Sequence, residues 1–173
     1  MVPTSTGPVR LIGLYVPSRD GSPEKTARKR DFLASCRVAL AMLPSKHRRT
    51  ILMGDLNILE PDHQPHYPFF APFEYGFYQC LLEEFEMVDA FRHVNPMLVE
   101  HSWVGRTGDG YRYDHIFCSR SLIEALRACA YIAEPRLSRL SDHSALTVSL
   151  NIDPMANRMI SDASSSLQPL SLF

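Results

Sequence analysis

The chain has no apolar run of the ~18 residues that would mark a membrane-crossing helix, so no bilayer span is expected. Its start, Met1 to Pro8, has no basic stretch followed by an apolar core. No secretory leader is therefore expected, and the cytoplasm is the default location. Cys36, Cys80, Cys118 and Cys129 are widely spaced and form no CxxC pair, which excludes a zinc ribbon or a redox dithiol and leaves buried free thiols. Neither sign of charge dominates. The 18 Lys and Arg against 19 Asp and Glu give a formal net charge of -1, so there is no global electrostatic case for nucleic-acid binding. A basic footprint would have to be local, in Lys25, Arg28, Lys29 and Arg30 and then in Lys46, His47, Arg48 and Arg49. A solvated helix face and a basic loop account for the same runs. Internal repeats are also absent.

What is present is the composition of one globular domain: 173 residues, 45% hydrophobic and 21% charged. Val9 to Val16 reads as a strand, rich in β-branched and large apolar residues and stopped by Pro17. Ser22-Pro23 supplies a helix N-cap and first helical position. From there Phe32, Cys36, Ala39, Leu40 and Leu43 recur at helical spacing until Pro44. Thr50 to Gly54 is a short apolar strand whose end delivers Asp55 and Asn57 into a loop. Phe73 to Glu86 predicts a second helix, with Phe77, Leu81 and Phe85 on one stripe. Met87 to Val94 predicts a turn or short strand, His101 to Val104 a strand, and Tyr111 to Ser119 another that alternates between two faces, with Asp114, Ile116 and Cys118 on one of them. A short helix over Ser121 to Ala128 and strands over Cys129 to Glu134 and Ala145 to Ile152 complete the domain. This mixture implies a layered α/β sandwich over 9–152, between an N-terminal tail at 1–8 and a Ser-rich C-terminal tail at 153–173.

Three words within these segments carry chemistry: Gly54-Asp55-Leu56-Asn57, Arg112-Tyr113-Asp114-His115-Ile116 and Ser141-Asp142-His143. Each has an ordinary explanation. Asp55 and Asn57 suit a turn after a strand, and Asp142-His143 suits an exposed pair. Asp114 is harder to dismiss, because a carboxylate inside an alternating strand must face solvent or find a partner. Taken together, the residues supply what phosphoester cleavage needs. Carboxylates hold a hard cation such as Mg²⁺, a histidine paired with a carboxylate carries positive charge toward phosphate, and an amide orients water without titrating.

The same words, preceded by Tyr15-Val16-Pro17, resemble the endonuclease/exonuclease/phosphatase superfamily, and most closely its exonuclease III-like branch of Mg²⁺-dependent DNA repair nucleases. The resemblance runs from about Val9 to Leu150. It implies a sandwich of the DNase I-like type, hydrolysis of DNA phosphodiesters, Mg²⁺ or Mn²⁺ as cofactor and DNA as partner. By resemblance Tyr15 contacts the scissile phosphate, Asp55 is the catalytic carboxylate and Asn57 orients the nucleophile or phosphate. Asp142 binds metal with Asp55 and Asn57, and His143 stabilises the phosphate in partnership with Asp114. Trp103, Val104 and Tyr111 match an apolar pocket that receives the sugar of an abasic site, although Trp103 equally suits core packing.

A full-length member resembles two stacked α/β halves and begins with a strand bearing Asn and a strand bearing a metal-binding Glu. This chain contains the C-terminal portion only. An exposed sheet edge is therefore expected, open to a separately supplied N-terminal half or to self-association. Reduced activity is expected without that Glu. Glu60, Asp62 and His63 follow the Asn57 loop as conceivable replacement ligands, although acidic loop residues are commonly solvated. Two alternatives stay open: a phosphatase of the same superfamily acting on small phosphoesters, and a non-catalytic remnant or interaction module.

Overall fold

The structure is a computed structural model that describes residues 1–43, 49–64 and 66–155. Strand β1 (Arg10–Gly13) is joined to the parallel strand β2 (Thr50–Asp55) by the crossover helix α1 (Pro23–Ala41). The Ser22 side chain accepts the Lys25 N–H, which satisfies one of the free donors at the start of α1. Helix α2 (Pro72–Glu83) leads to β3 (Met87–Asp89) and the single-turn α3 (Ala90–Val94). The small hairpin strands β4 (Trp103–Val104) and β5 (Gly110–Tyr111) precede β6 (Asp114–Ser119). A 3-10 helix (Arg120–Ala125), β7 (Leu126–Ile132), α4 (Glu134–Leu137) and β8 (Ala145–Leu150) close the described chain.

The main sheet has four strands in the order β1-β2-β6-β3, with β6 antiparallel to both neighbours. Alternation along β2 and β6 sends residues to two separate cores. Leu52 and Phe117 join Leu33, Leu56, Phe77 and Leu81 beneath α1 and α2. Ile51, Ile116 and Cys118 join Phe91, Leu126 and Cys129 beneath the antiparallel β7-β8 pair. Helices, sheet and hairpin thus form layers, the α/β sandwich expected. Each fully buried Leu or Phe contributes about 1.5–3 kcal/mol of transfer free energy.

Several boundaries differ from the periodicity. The strand expected over Tyr111 to Ser119 breaks at Arg112 and Tyr113. There the buried Arg112 side chain turns inward to Glu60 and Asp89, and the Tyr113 and Asp114 amides donate to the Ser102 hydroxyl instead of to a strand. The segment Met87 to Val94, expected as a turn or short strand, is a short strand as far as Asp89, whose side chain caps the Arg92 N–H and starts α3. The helix expected over Ser121 to Ala128 is a 3-10 turn that ends at Ala125, and the strand begins earlier than expected, at Leu126. Residues of the N-terminal tail are tied down: Val2 bridges Val9, Thr4 bridges Pro154, and Arg49 reaches the Gly7 carbonyl. Pro44, Lys46, His47, Arg48 and most of the Ser-rich tail lie outside the described residues.

Candidate active site

The loop after β2 is built by local chemistry. Pairing of the two parallel chains continues past β1, with Leu14 N–H on the Met53 carbonyl at 2.9 Å and Val16 N–H on the Asp55 carbonyl at 2.9 Å. At Gly54 φ is +140°, and a Cβ there would lie 2.0 Å from the Leu14 carbonyl oxygen, so only glycine fits. Asn57 takes the left-handed conformation, φ +48°, which Asn tolerates better than most residues. Its backbone N–H donates to Asp55 Oδ1 and its side-chain Nδ2 to Asp55 Oδ2, both at 2.9 Å, and Nδ2 also reaches the Val16 carbonyl at 2.9 Å. These bonds fix the carboxylate's orientation. Leu56 between them is fully buried and anchors the turn.

Across the sheet Asp55 is the register partner of Asp114 at the start of β6. Asp114 Oδ2 lies 2.6 Å from His143 Nδ1, and the Tyr131 hydroxyl donates to the Asp114 carbonyl at 2.5 Å. His143 is carried to this point by a bridge to Trp103 and by the Ser144 N–H on the Ser102 carbonyl. The hydrogen bond that His143 Nδ1–H donates to Asp114 raises the His143 pKa, with the charges of Asp114 and Asp55 adding to it against partial burial. Burial raises the Asp55 pKa, the Asn57 N–H opposes this, and the charge of Asp114 reinforces it. The arrangement therefore sets an imidazole that favours its charged form beside a desolvated carboxylate.

These groups face a cleft of about 410 Å³. Tyr15, Asp55, Asn57, Trp103, Asp142 and His143 all line it, while Asp114 stands behind His143. Val104 and Tyr111 do not line it. The Tyr111 ring instead stacks on Tyr113 at 5.2 Å and contacts Tyr67 at 4.5 Å, and it is Tyr113, two residues on, that lines the cleft. Phe69 and Phe70 complete the apolar side. A larger apolar cavity of about 610 Å³, between the C-terminal half of α1 and the Glu84-Phe85 segment that follows α2, includes none of these residues.

Sequence reasoning missed the support beneath the cleft. Lys29, read as part of a basic helix face, is buried, and its ammonium meets Glu74 Oε1 at 2.6 Å and the Asn57 carbonyl at 2.5 Å. Glu74 Oε2 accepts from Arg19, a cleft residue, at 2.6 Å. The signal was present, since Lys29 lies four, seven and eleven residues before Leu33, Cys36 and Leu40, on the apolar stripe of the helix. Glu60 is not free to act as a replacement ligand. Burial would raise its pKa, but hydrogen bonds from Arg92 and Arg112 hold it down at about 2, in ion pairs facing away from the cleft. His63 is buried beside Tyr67 and Tyr111.

No cluster of three or more His, Cys, Asp or Glu poised around a metal is found among the described residues. Besides His143, which is paired with Asp114, the cleft nonetheless offers oxygen donors: the Asp55 carboxylate, the Asn57 amide and the exposed Asp142 carboxylate. Such a set fits a hard, strongly hydrated ion whose shell is completed by water and substrate, and does not fit a closed protein cage. Among the described residues no helix is long and apolar enough to cross a membrane.

No curated protein sequence matches the chain. Among solved structures it is similar to an AP endonuclease from Archaeoglobus fulgidus, with 24% identity, a TM-score of 0.73, and coverage of 83% of this chain and 62% of that one. It is also similar to a 3'-5' exonuclease (NExo) from Neisseria meningitidis, with 27% identity, a TM-score of 0.69, and coverage of 83% and 61%. A 3' phosphatase NExo from Neisseria, bound to a product DNA hairpin, matches at 26% identity and a TM-score of 0.69, over 82% of this chain and 61% of that one. The chain thus spans about three fifths of the length of these proteins. The family model described as Endonuclease/Exonuclease/phosphatase matches residues 2–143, a span that ends on His143 and takes in Asp55, Asn57 and Asp114. With the layered fold and the shared cleft, that match shows that the chain belongs to the endonuclease/exonuclease/phosphatase family.

Proposed function

We propose that this chain carries the phosphodiester-hydrolysing centre of an exonuclease III-like DNA nuclease, dependent on Mg²⁺ or Mn²⁺. The observation that carries the reading is the meeting of the His143–Asp114 pair and the Asp55–Asn57 turn at one cleft, although the four residues come from three separate segments of the chain. Members of the family are typically divalent-metal dependent. Asp55, Asn57 and Asp142 would hold the ion, which supplies charge stabilisation for the phosphate and a more acidic water.

The chain's own residues do the rest. Asp55, held by two hydrogen bonds from Asn57 and raised in pKa by burial, is placed to take a proton from an attacking water. His143, kept charged by Asp114, faces the non-bridging oxygens. Tyr15, largely exposed at the rim, is placed to touch the phosphate, and Trp103 offers a face to sugar or base. The DNA hairpin bound by the Neisseria relative supports DNA as the substrate class. Four free cysteines suit a reducing compartment, in keeping with the cytoplasm.

The test is cleavage of abasic-site and 3'-recessed DNA with Mg²⁺ or Mn²⁺, and with a chelator, by the wild-type chain and by the Asp55→Ala and His143→Ala variants. Metal-dependent cleavage that falls about 10²–10⁴-fold in each variant supports the reading. Cleavage untouched by both changes refutes the site, and turnover confined to small phosphoesters moves the chain to the phosphatase alternative.

A further inference from the structure

We infer that Lys29 is a positioning residue for the centre, holding the left-handed Asn57 turn in place from below through its ammonium. This rests on the functional reading above. Three observations carry it. Lys29 is 1% exposed, and a lysine so buried needs its charge matched by a partner. Its ammonium donates to Glu74 Oε1 at 2.6 Å and to the Asn57 main-chain carbonyl at 2.5 Å, so a helix of the outer layer is bonded directly to the loop that aims Asp55. Asn57 has φ +48°, a region that Asn enters more readily than other non-glycine residues but still at a cost, so a bond that fixes its carbonyl helps keep the turn.

The other bonds on the turn stay within the sheet layer: Asn57 to Asp55 and to the Val16 carbonyl, and the Leu56 N–H to the Tyr113 carbonyl at 2.9 Å. Lys29 is the bond from a different layer. Glu74 extends the brace to the cleft wall: its second oxygen accepts from Arg19 at 2.6 Å and from the Ala71 N–H at 2.8 Å, and Arg19 lies over the Phe69 ring at 4.2 Å. One buried carboxylate therefore ties together the loop floor, the start of α2 and the aromatic wall. Because Arg19 and Ala71 remain as partners of Glu74, removing the Lys29 ammonium does not leave that carboxylate unpaired. The Asn57 carbonyl loses its donor from α1.

The test compares Lys29→Met, which keeps the aliphatic stem, with Leu33→Ala, a core change on the same helix. The first readout is the backbone and side-chain amide resonances of Asn57 in ¹⁵N-resolved spectra, without metal or substrate. The second is kcat and KM on abasic-site DNA. Positioning predicts that Lys29→Met displaces the Asn57 resonances and lowers kcat about tenfold to a hundredfold with KM changed less than about twofold. Leu33→Ala lowers Tm while leaving kcat within about twofold. Unmoved Asn57 resonances in folded Lys29→Met, or a kcat loss no larger than that of Leu33→Ala, overturns the inference. Should Lys29→Met not fold, Lys29→Gln decides in the same way, since its shorter, neutral side chain keeps a polar end near Glu74 but lacks the ammonium that reaches the Asn57 carbonyl. The amide spectra need no turnover. A wild-type chain inactive on every phosphoester would thus count against the proposed function and leave the spectral result on Lys29 to stand or fall alone.

Discussion

Replacing Gly54 with Ala brings the fold and the chemistry into one experiment. With φ at +140°, a Cβ at this position would stand 2.0 Å from the Leu14 carbonyl oxygen, and the obstructing atom is backbone that cannot swing aside. A residue with a Cβ is strained at this φ and also pushes the Leu14–Val16 segment off β2, so the two costs add. The first costs ~1–3 kcal/mol for a backbone region that is nearly glycine-only. The second breaks the Leu14 N–H to Met53 and Val16 N–H to Asp55 bonds, worth ~1 kcal/mol each. A destabilisation of about 3–5 kcal/mol follows, near the upper end for single substitutions. For a chain of this size that is a drop of about 6–20 °C in Tm. Thermal and urea melts followed by circular dichroism measure it. A Tm within about 3 °C of wild type, with an unchanged urea slope, would refute the idea that close approach of β1 makes glycine obligatory before Asp55.

Asp114→Asn removes the largest cause of the raised His143 pKa, so the alkaline limb of the rate profile should move to lower pH and the rate at pH 8 should fall about 10²–10⁴-fold; an unmoved limb in a full pH series contradicts the pairing. In stability the same pair has a definite sign. Because the folded value is raised, the His143 contribution is complete below the unfolded value of about 6.5 and disappears as pH rises through the folded one, so the Tm difference between wild type and His143→Ala should shrink above that range. Asp55→Asn should abolish turnover, and although one Asn57 donor loses its acceptor, its Tm relative to wild type should improve with pH because burial penalises the charged carboxylate. That relative gain should appear as pH climbs from about 3.9 through the raised folded value and be absent below about 3.9, and a Tm difference independent of pH would contradict the desolvation argument. Glu60→Gln leaves Arg112 with Asp89 and Arg92 without its partner, and about 3–5 kcal/mol of stability should be lost in a urea titration; a loss under about 1 kcal/mol would show the ion pairs to be dispensable.

Much of the centre was legible because its parts are local. Gly54, Asp55 and Asn57 form their turn from bonds within a few residues, and Asp142-His143 lies in one short loop, so the residue types betray the chemistry before any folding is known. Trp103, Val104 and Tyr111 show where that stops. The three belong to paired strands, but the Tyr111 ring packs on Tyr113 and Tyr67, and only Trp103 of the three lines the cleft. Lys29 shows it again. A lysine among Arg28 and Arg30 looks solvated until the apolar stripe of its own helix is followed, and even then nothing in the sequence names Glu74 as its counter-charge.

By itself the sequence determined the two long helices and the main strands, the start of α1 at Ser22-Pro23, the glycine-dependent turn after β2 and the kinds of group at the centre. Periodicity, capping and turn chemistry act over a few residues, so short stretches suffice to specify them. Only the tertiary structure decided that Asp55 stands opposite Asp114, that His143 closes on a carboxylate 29 positions earlier, and that Lys29 is neutralised by a residue 45 positions later. Those pairings are set by strand register and by which faces the two cores bury, and these come from packing of the whole chain.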